Sequence, residues 1–263
     1  MNSQRWIKLP VPRPQSRLRL FCLPYAGGGA SIFRNWPEFV SKEIEICPVQ
    51  LPGREERVVE QSFTNLMRLV KTLSIVLAPK LDKPFALYGH SMGTLLAFEL
   101  ARELRRQNRP GPVHIFVSGR CAPHVIDPDP PIHSLPDEEF VEGVRRYNGT
   151  SEEVLQNKQL MEMFLPLLRA DFEVCETYVY RDEPPLDCPV SAYAGRHEIA
   201  RDLLQDWADL TTGNFESMIF PGDHFFLNTE RARFVRTISD RLKSSYLDNA
   251  LSPEAEHHRA SGG

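Results

Sequence analysis

Gly89-His90-Ser91-Met92-Gly93 constrains this chain more than any other five residues. An apolar run, Phe85-Ala86-Leu87-Tyr88, precedes it, and a helical pattern from Thr94 to Arg106 follows. A serine in G-x-S-x-G between a strand and a helix is the sequence form of a nucleophile elbow, a sharp turn that holds the hydroxyl out toward a substrate carbonyl. Glycine on either side removes Cβ atoms that would clash in so tight a turn. The bare pattern arises by chance in about one chain of this length in ten at average glycine and serine usage. The flanks therefore carry the inference, against the alternative of an ordinary glycine-rich turn.

An elbow needs a sheet to stand on, and the chain supplies one. Leu18 to Leu23, Ile44 to Gln50, Phe85 to Tyr88, Val113 to Ser118, Val190 to Ala194 and Glu216 to Phe220 read as strands. Helical patterns lie between them at Ser31 to Lys42, Thr64 to Leu77 and Thr94 to Arg106, with a last one from Thr229 to Ser245. Strands alternating with helices predict an α/β fold, a mostly parallel central sheet flanked by helices. The rhythm breaks from Pro123 to Asp187, where proline-rich ends enclose helical patterns at Asp137 to Tyr147, Ser151 to Val154 and Gln159 to Tyr178. A helical lid insertion over residues 123–187 is the expectation, and extra packing helices are the alternative. Residues 18–122 and 188–247 then form the core, with a flexible N-terminus at 1–17 and a disordered tail at 248–263.

Composition narrows the function classes. At 263 residues, 41% hydrophobic and 25% charged, the chain suits one globular domain with a sizeable core. A net charge of −4 argues against nucleic acid as the main partner. No run of about eighteen apolar residues suggests a membrane span. The polar, proline-rich start has no signal-peptide core, so a cytoplasmic location is expected. Five scattered cysteines without C-x-x-C spacing suggest neither a disulfide framework nor a zinc site. No cofactor or metal is expected.

A serine hydroxyl becomes nucleophilic when a base, usually a histidine oriented by a carboxylate, removes its proton. His224 has the best placement, in Pro221-Gly222-Asp223-His224 after the last strand and before the final helix. Serine early and histidine late is the α/β-hydrolase chain order. His197 is the next candidate. His90 more plausibly shapes the elbow, and His114 falls in a strand. His124 and His133 lack context, and His257 and His258 lie in the tail. In that chain order the acid follows a late strand, and Glu198 in Ala194-Gly195-Arg196-His197-Glu198 has the position. Asp202 and Asp206 lie farther along a helical pattern, and Asp223 should diverge from its neighbour His224. One oxyanion donor is the N–H of Met92, after the nucleophile. The other is expected from the loop Pro24-Tyr25-Ala26-Gly27-Gly28-Gly29, where glycines let backbone approach a substrate. A phosphate cradle is the competing reading of that loop, but no Gly-Lys-Ser/Thr follows.

With these residues in place, the chain resembles the free-standing type II thioesterases of polyketide and nonribosomal peptide synthetases, which share a family with the medium-chain thioesterases of fatty acid synthase. The matching stretches are Leu23-Pro24-Tyr25-Ala26-Gly27-Gly28, Leu51-Pro52-Gly53-Arg54 with Glu55 and Arg57, and the elbow itself. Leu168-Arg169-Ala170-Asp171 with Glu176 and Tyr178, and Gly222-Asp223-His224-Phe225-Phe226, complete the set. The resemblance implies hydrolysis of acyl groups from the phosphopantetheine arm of acyl or peptidyl carrier proteins, as an editing step that frees stalled assembly lines. It implies Ser91 as nucleophile, His224 as base, and Ala26 with Met92 as oxyanion donors. A monomer is expected. The family usually has aspartate where this chain has Glu198, one methylene longer. A general carboxylesterase or lipase, and a synthase-docking module without catalysis, are the competing classes.

Overall fold

The computed structural model describes residues 5–125, 129–146, 158–198 and 201–248. Among these, six parallel strands form one sheet: β1 (Leu18–Leu23), β2 (Ile44–Pro48), β3 (Phe85–His90), β4 (Ile115–Ser118), β5 (Val190–Gly195) and β6 (Phe215–Phe220). Their spatial order is β2-β1-β3-β4-β5-β6, every pairing parallel. The helices are α1 (Leu66–Leu77), α2 (Met92–Arg106), α3 (Asp137–Arg145), α4 (Lys158–Glu176), α5 (Arg201–Gln205), α6 (Phe226–Thr229) and α7 (Arg231–Leu242).

Strands β1 to β5 are buried along their whole length, which is why they read as near-continuous apolar runs. Alternate side chains enter opposite layers. Phe21, Leu87, Val117 and Ala192 pack with α1 and α2, while Leu20, Ala86, Phe116 and Tyr193 pack with Trp36 and with Phe234 and Ile238 of α7. The chain leaves β1 toward β2 on one side and returns to β3 on the other. That reversal opens a crevice beyond the C-terminal ends of β1 and β3, the usual ligand position in an open parallel sheet. The loop after β1 and the elbow after β3 both lie there.

Two expectations change. Ser31 to Lys42 is not one helix but two short 3₁₀ turns, Ala30–Phe33 and Trp36–Glu38. Pro37 lacks an N–H and disfavours helical backbone before it, so a continuous helix cannot pass through. The expectation of a flexible stretch over residues 1–17 gives way, for its described part, to a docked strap. Trp6 and Ile7 are buried, Ile7 bridges Val49, and Lys8 N–H donates to Pro48 O at 2.9 Å. The strap covers the open edge of β2, and the Arg57 guanidinium lies 4.1 Å from the Trp6 ring centre.

Between β4 and β5 the chain carries α3 and α4. Phe140, Val144, Met161 and Leu168 give this insertion a small core of its own. Arg169 donates to the carbonyls of His133 and Leu135 at 2.6 and 2.7 Å, and Glu176 accepts from the N–H groups of Ile132 and His133 at 3.0 and 2.9 Å. The expected helix at Ser151 to Val154 and the disordered tail from 249 onward lie outside the described residues. Among the described residues no helix is long and apolar enough to cross a membrane.

Candidate active site

Strand β3 ends at His90 and α2 begins at Met92, so the whole turn between them is Ser91. Its φ and ψ are 53° and −113°, a conformation that costs a residue with a Cβ about 1–3 kcal/mol. The surroundings enforce it. Ser91 N–H donates to Ser118 O at 2.8 Å, and the Thr94 hydroxyl bonds the carbonyls of both Gly89 and Ser118 at 2.9 Å. A Cβ on Gly89 would sit 2.0 Å from Gly93 O, and one on Gly93 would sit 2.2 Å from Leu23 O. Both glycines of the motif are therefore required by contact. The second contact also seats the elbow against the end of β1, where the glycine loop starts.

His224 and Glu198 come together from two neighbouring strand ends. The Glu198 carboxylate bonds His224 Nδ1 through Oε1, while Oε2 accepts from Gly195 N–H at 3.3 Å. Both side chains are largely buried. The two loops are laced by Arg196 N–H to Phe220 O and His197 N–H to Gly222 O, at 2.9 and 3.1 Å. Gly195 is needed for this, since a Cβ there would meet Asp223 O at 2.1 Å. The extra methylene of glutamate is thus absorbed by a carboxylate that turns back onto its own loop. His224 also reaches the elbow: its ring centre is 4.8 Å from that of His90, next to Ser91.

The remaining candidates are placed elsewhere. His197 is exposed. The Asp223 carboxylate caps Phe225 N–H at 2.9 Å, facing away from its neighbour's ring. Asp206 opens a 3₁₀ turn after α5, and the side chain of Asp202 lies outside the described residues. His124 packs on Tyr180, and His133 bonds Glu176. His90 is a structural member of the elbow, with Nδ1 2.8 Å from the Ser118 hydroxyl. Burial, and then the nearby His224, push its pKa well below 6.5 and keep the ring neutral.

On the other side of Ser91, Gly28 N–H closes a turn onto Tyr25 O at 2.9 Å, with Gly27 at φ 76°. Ala26 lies at the second position of this turn, and Met92 is the buried first residue of α2. Gly27 N–H, which fixes the peptide after Ala26, donates to Asp171 Oδ2 at 2.7 Å. Asp171 comes from α4 and is clamped by two bonds of 2.8 Å from the Arg54 guanidinium, which also donates to Gly28 O at 3.1 Å. The Arg54–Asp171 pair is buried on both sides. The sequence reading missed this lock. Arg54 and Asp171 lie 117 positions apart, and nothing local connects them.

A thioesterase-domain family model matches residues 18–242. The chain belongs to the thioesterase family. Within it, the chain is 44% identical over 241 residues to the gramicidin S biosynthesis protein GrsT of Aneurinibacillus migulanus, covering 91% of this chain and 94% of that protein. It is 32% identical to the medium-chain S-acyl fatty acid synthase thioesterase of Rattus norvegicus, covering 86% and 88%. Among solved structures, RedJ, a thioesterase from the prodiginine pathway of Streptomyces coelicolor, superposes with a TM-score of 0.82 at 38% identity, covering 88% of each chain. BorB, a type II thioesterase from the borrelidin cluster, gives 0.83 at 34% identity, covering 92% of this chain and 99% of that one. The sheet and its flanking helices are those of the α/β-hydrolase fold, and this thioesterase is a serine hydrolase.

Proposed function

We propose that this thioesterase releases acyl groups from the phosphopantetheine arm of acyl or peptidyl carrier proteins, as an editing enzyme of a polyketide or nonribosomal peptide assembly line. The observation that carries the site is the Glu198–His224 pair beside a strained Ser91. In the reaction His224 Nε2 takes the Ser91 proton as Oγ attacks the thioester carbon. The negative charge forms on the carbonyl oxygen, within reach of the N–H groups of Met92 and Ala26. Collapse expels the arm's thiolate, which takes the proton back from His224 and leaves Ser91 acylated. Water, deprotonated by the same histidine, then frees the acid. Glu198 holds the ring with Nδ1–H directed at itself and stabilises the imidazolium.

Residues 123–187 act as a lid over this crevice, because they join β4 to β5 beside the strand ends that carry the site. The protein works as a monomer in the cytoplasm. Acyl-loaded carrier protein and a simple oxygen ester with the same acyl chain test the reading together. The carrier thioester is turned over with the higher kcat/KM, and the Ser91→Ala protein, folded by circular dichroism, releases nothing. Preference for the simple ester would assign a general esterase instead.

A further inference from the structure

A cavity of about 450 Å³ lies beside the glycine loop, lined by Ser31, Ile32, Arg34, Asn35, Asn228 and Arg231. No carboxylate lines it. The chain carries 35 acidic residues and a net charge of −4, and most of its described arginines meet a carboxylate. Arg34 and Arg231 are among the described arginines for which no carboxylate partner is present. The Arg231 Nε is moreover fully buried with no acceptor. That Nε is closed to the cavity, so only the terminal fork of Arg231 can serve a ligand there, a planar donor set that matches the oxygens of a phosphate group.

The position of the cavity ties it to the reaction. Ser31 lies two residues past the glycine loop, and Asn228 and Arg231 follow His224 through α6. Between cavity and site stands Tyr25, whose hydroxyl bonds Asn228 and feels the charge of Arg231. The Tyr25 ring packs on Phe225 at 5.0 Å and on His90 at 5.8 Å, and Phe225 packs on His224 at 4.8 Å. The rings of Tyr25 and Phe225 therefore lie between Arg231 and the base. The Glu55 carboxylate, from the turn after β2, accepts from the Ser31 N–H at 3.2 Å.

We propose that this cavity binds the phosphodiester of the phosphopantetheine arm, with Arg34 and Arg231 as its anion ligands and the two asparagine amides and Ser31 as neutral donors. This rests on the carrier-arm reading of the active site. The ligand chemistry is shared by free phosphopantetheine thioesters, so the test separates the sources.

One acyl group is presented on N-acetylcysteamine, on pantetheine, on 4′-phosphopantetheine and on a carrier protein, to the wild type, Arg34→Gln, Arg231→Gln, the double variant and Arg231→Lys. The wild type should favour the phosphopantetheine thioester over the pantetheine thioester by about ten- to hundredfold in KM, the scale of charge-assisted hydrogen bonds. The double variant should bring that ratio close to one and raise KM for the carrier-borne arm by a similar factor, and Arg231→Lys should restore part of both. A wild-type ratio near one, an unchanged ratio in the double variant, or a parallel loss on all four substrates would overturn the site. A ratio that collapses for the free arm while the carrier-borne arm keeps its wild-type KM would overturn the assignment to the carrier. Failure of the wild type to cleave any of the thioesters would instead sink the active-site reading.

Discussion

The sheet carries two clusters built from the same three residue types, one at each end. Beyond the C-terminal ends of β3, β5 and β6 lie Ser91, Glu198 and His224. At the N-terminal ends of β4, β5 and β6 lie His114, Ser191 and Glu216, with His114 Nε2 2.8 Å from the Ser191 hydroxyl and that hydroxyl donating to Glu216 Oε1 at 2.8 Å. The wiring differs. In the first cluster the carboxylate grips the histidine. In the second it takes the serine's own proton, so the hydroxyl can only accept from His114. Ser191 is fully buried in extended backbone, while Ser91 is half-buried on a strained turn. Burial pushes the His114 pKa down to about 3, which makes it a poor base at neutral pH. A hydrolase site is thus set by backbone conformation, access and the order of the hydrogen bonds, not by residue type.

Substitution breaks the comparison most sharply at the two serines. Ser91→Ala should lower thioester hydrolysis by about 10³-fold or more. Ser191→Ala should leave kcat alone and lower unfolding stability by about 1–3 kcal/mol, read by urea titration. Similar losses from both would erase the distinction. Glu198→Ala should reduce kcat by about 10³-fold with KM nearly unchanged. Glu198→Asp should cost up to about 10²-fold, because the shortened side chain must reach His224 from a backbone placed for glutamate. A Glu198→Asp enzyme faster than wild type would contradict the fit of glutamate to this loop.

The lock under the glycine loop predicts a mixed effect. Asp171→Ala leaves Arg54 buried without its partner, so stability should fall by about 3–5 kcal/mol. Asp171→Asn keeps an acceptor for Gly27 N–H and should stay folded, with a loss in kcat that exceeds the change in KM. Equal kcat in Asp171→Asn and wild type would reduce the pair to a packing device. The smallest effect belongs to His114 and pH. Its folded pKa lies below the ordinary 6.5, so the unfolded chain binds the proton first as pH drops. Its contribution is complete above about pH 6.5 and is lost as pH falls toward about 3. His114→Gln should therefore flatten the acid side of a stability–pH curve, and an unchanged slope would contradict the assignment.

Much of this was legible in the sequence because it is local. The elbow, its two glycines and the order of strand ends are written in short stretches, and so are the loops bearing Glu198 and His224. What was not legible depends on distant packing. Pro37 broke an expected helix that its apolar spacing alone suggested. Trp6 and Ile7 looked like part of a loose leader, and only the open edge of β2 gives them a place. Between Arg54 and Asp171 the chain runs through β3, β4 and most of the insertion, so their bond emerges only from the assembled fold.

The central claim is that serine reactivity here is a property of the elbow, and active-site labelling tests it most directly. A fluorophosphonate probe followed by peptide mapping should place one adduct on the peptide containing Ser91 and none on Ser191, and the Ser91→Ala protein should stay unlabelled. An adduct on any other serine, or labelling that survives in Ser91→Ala, would contradict the account.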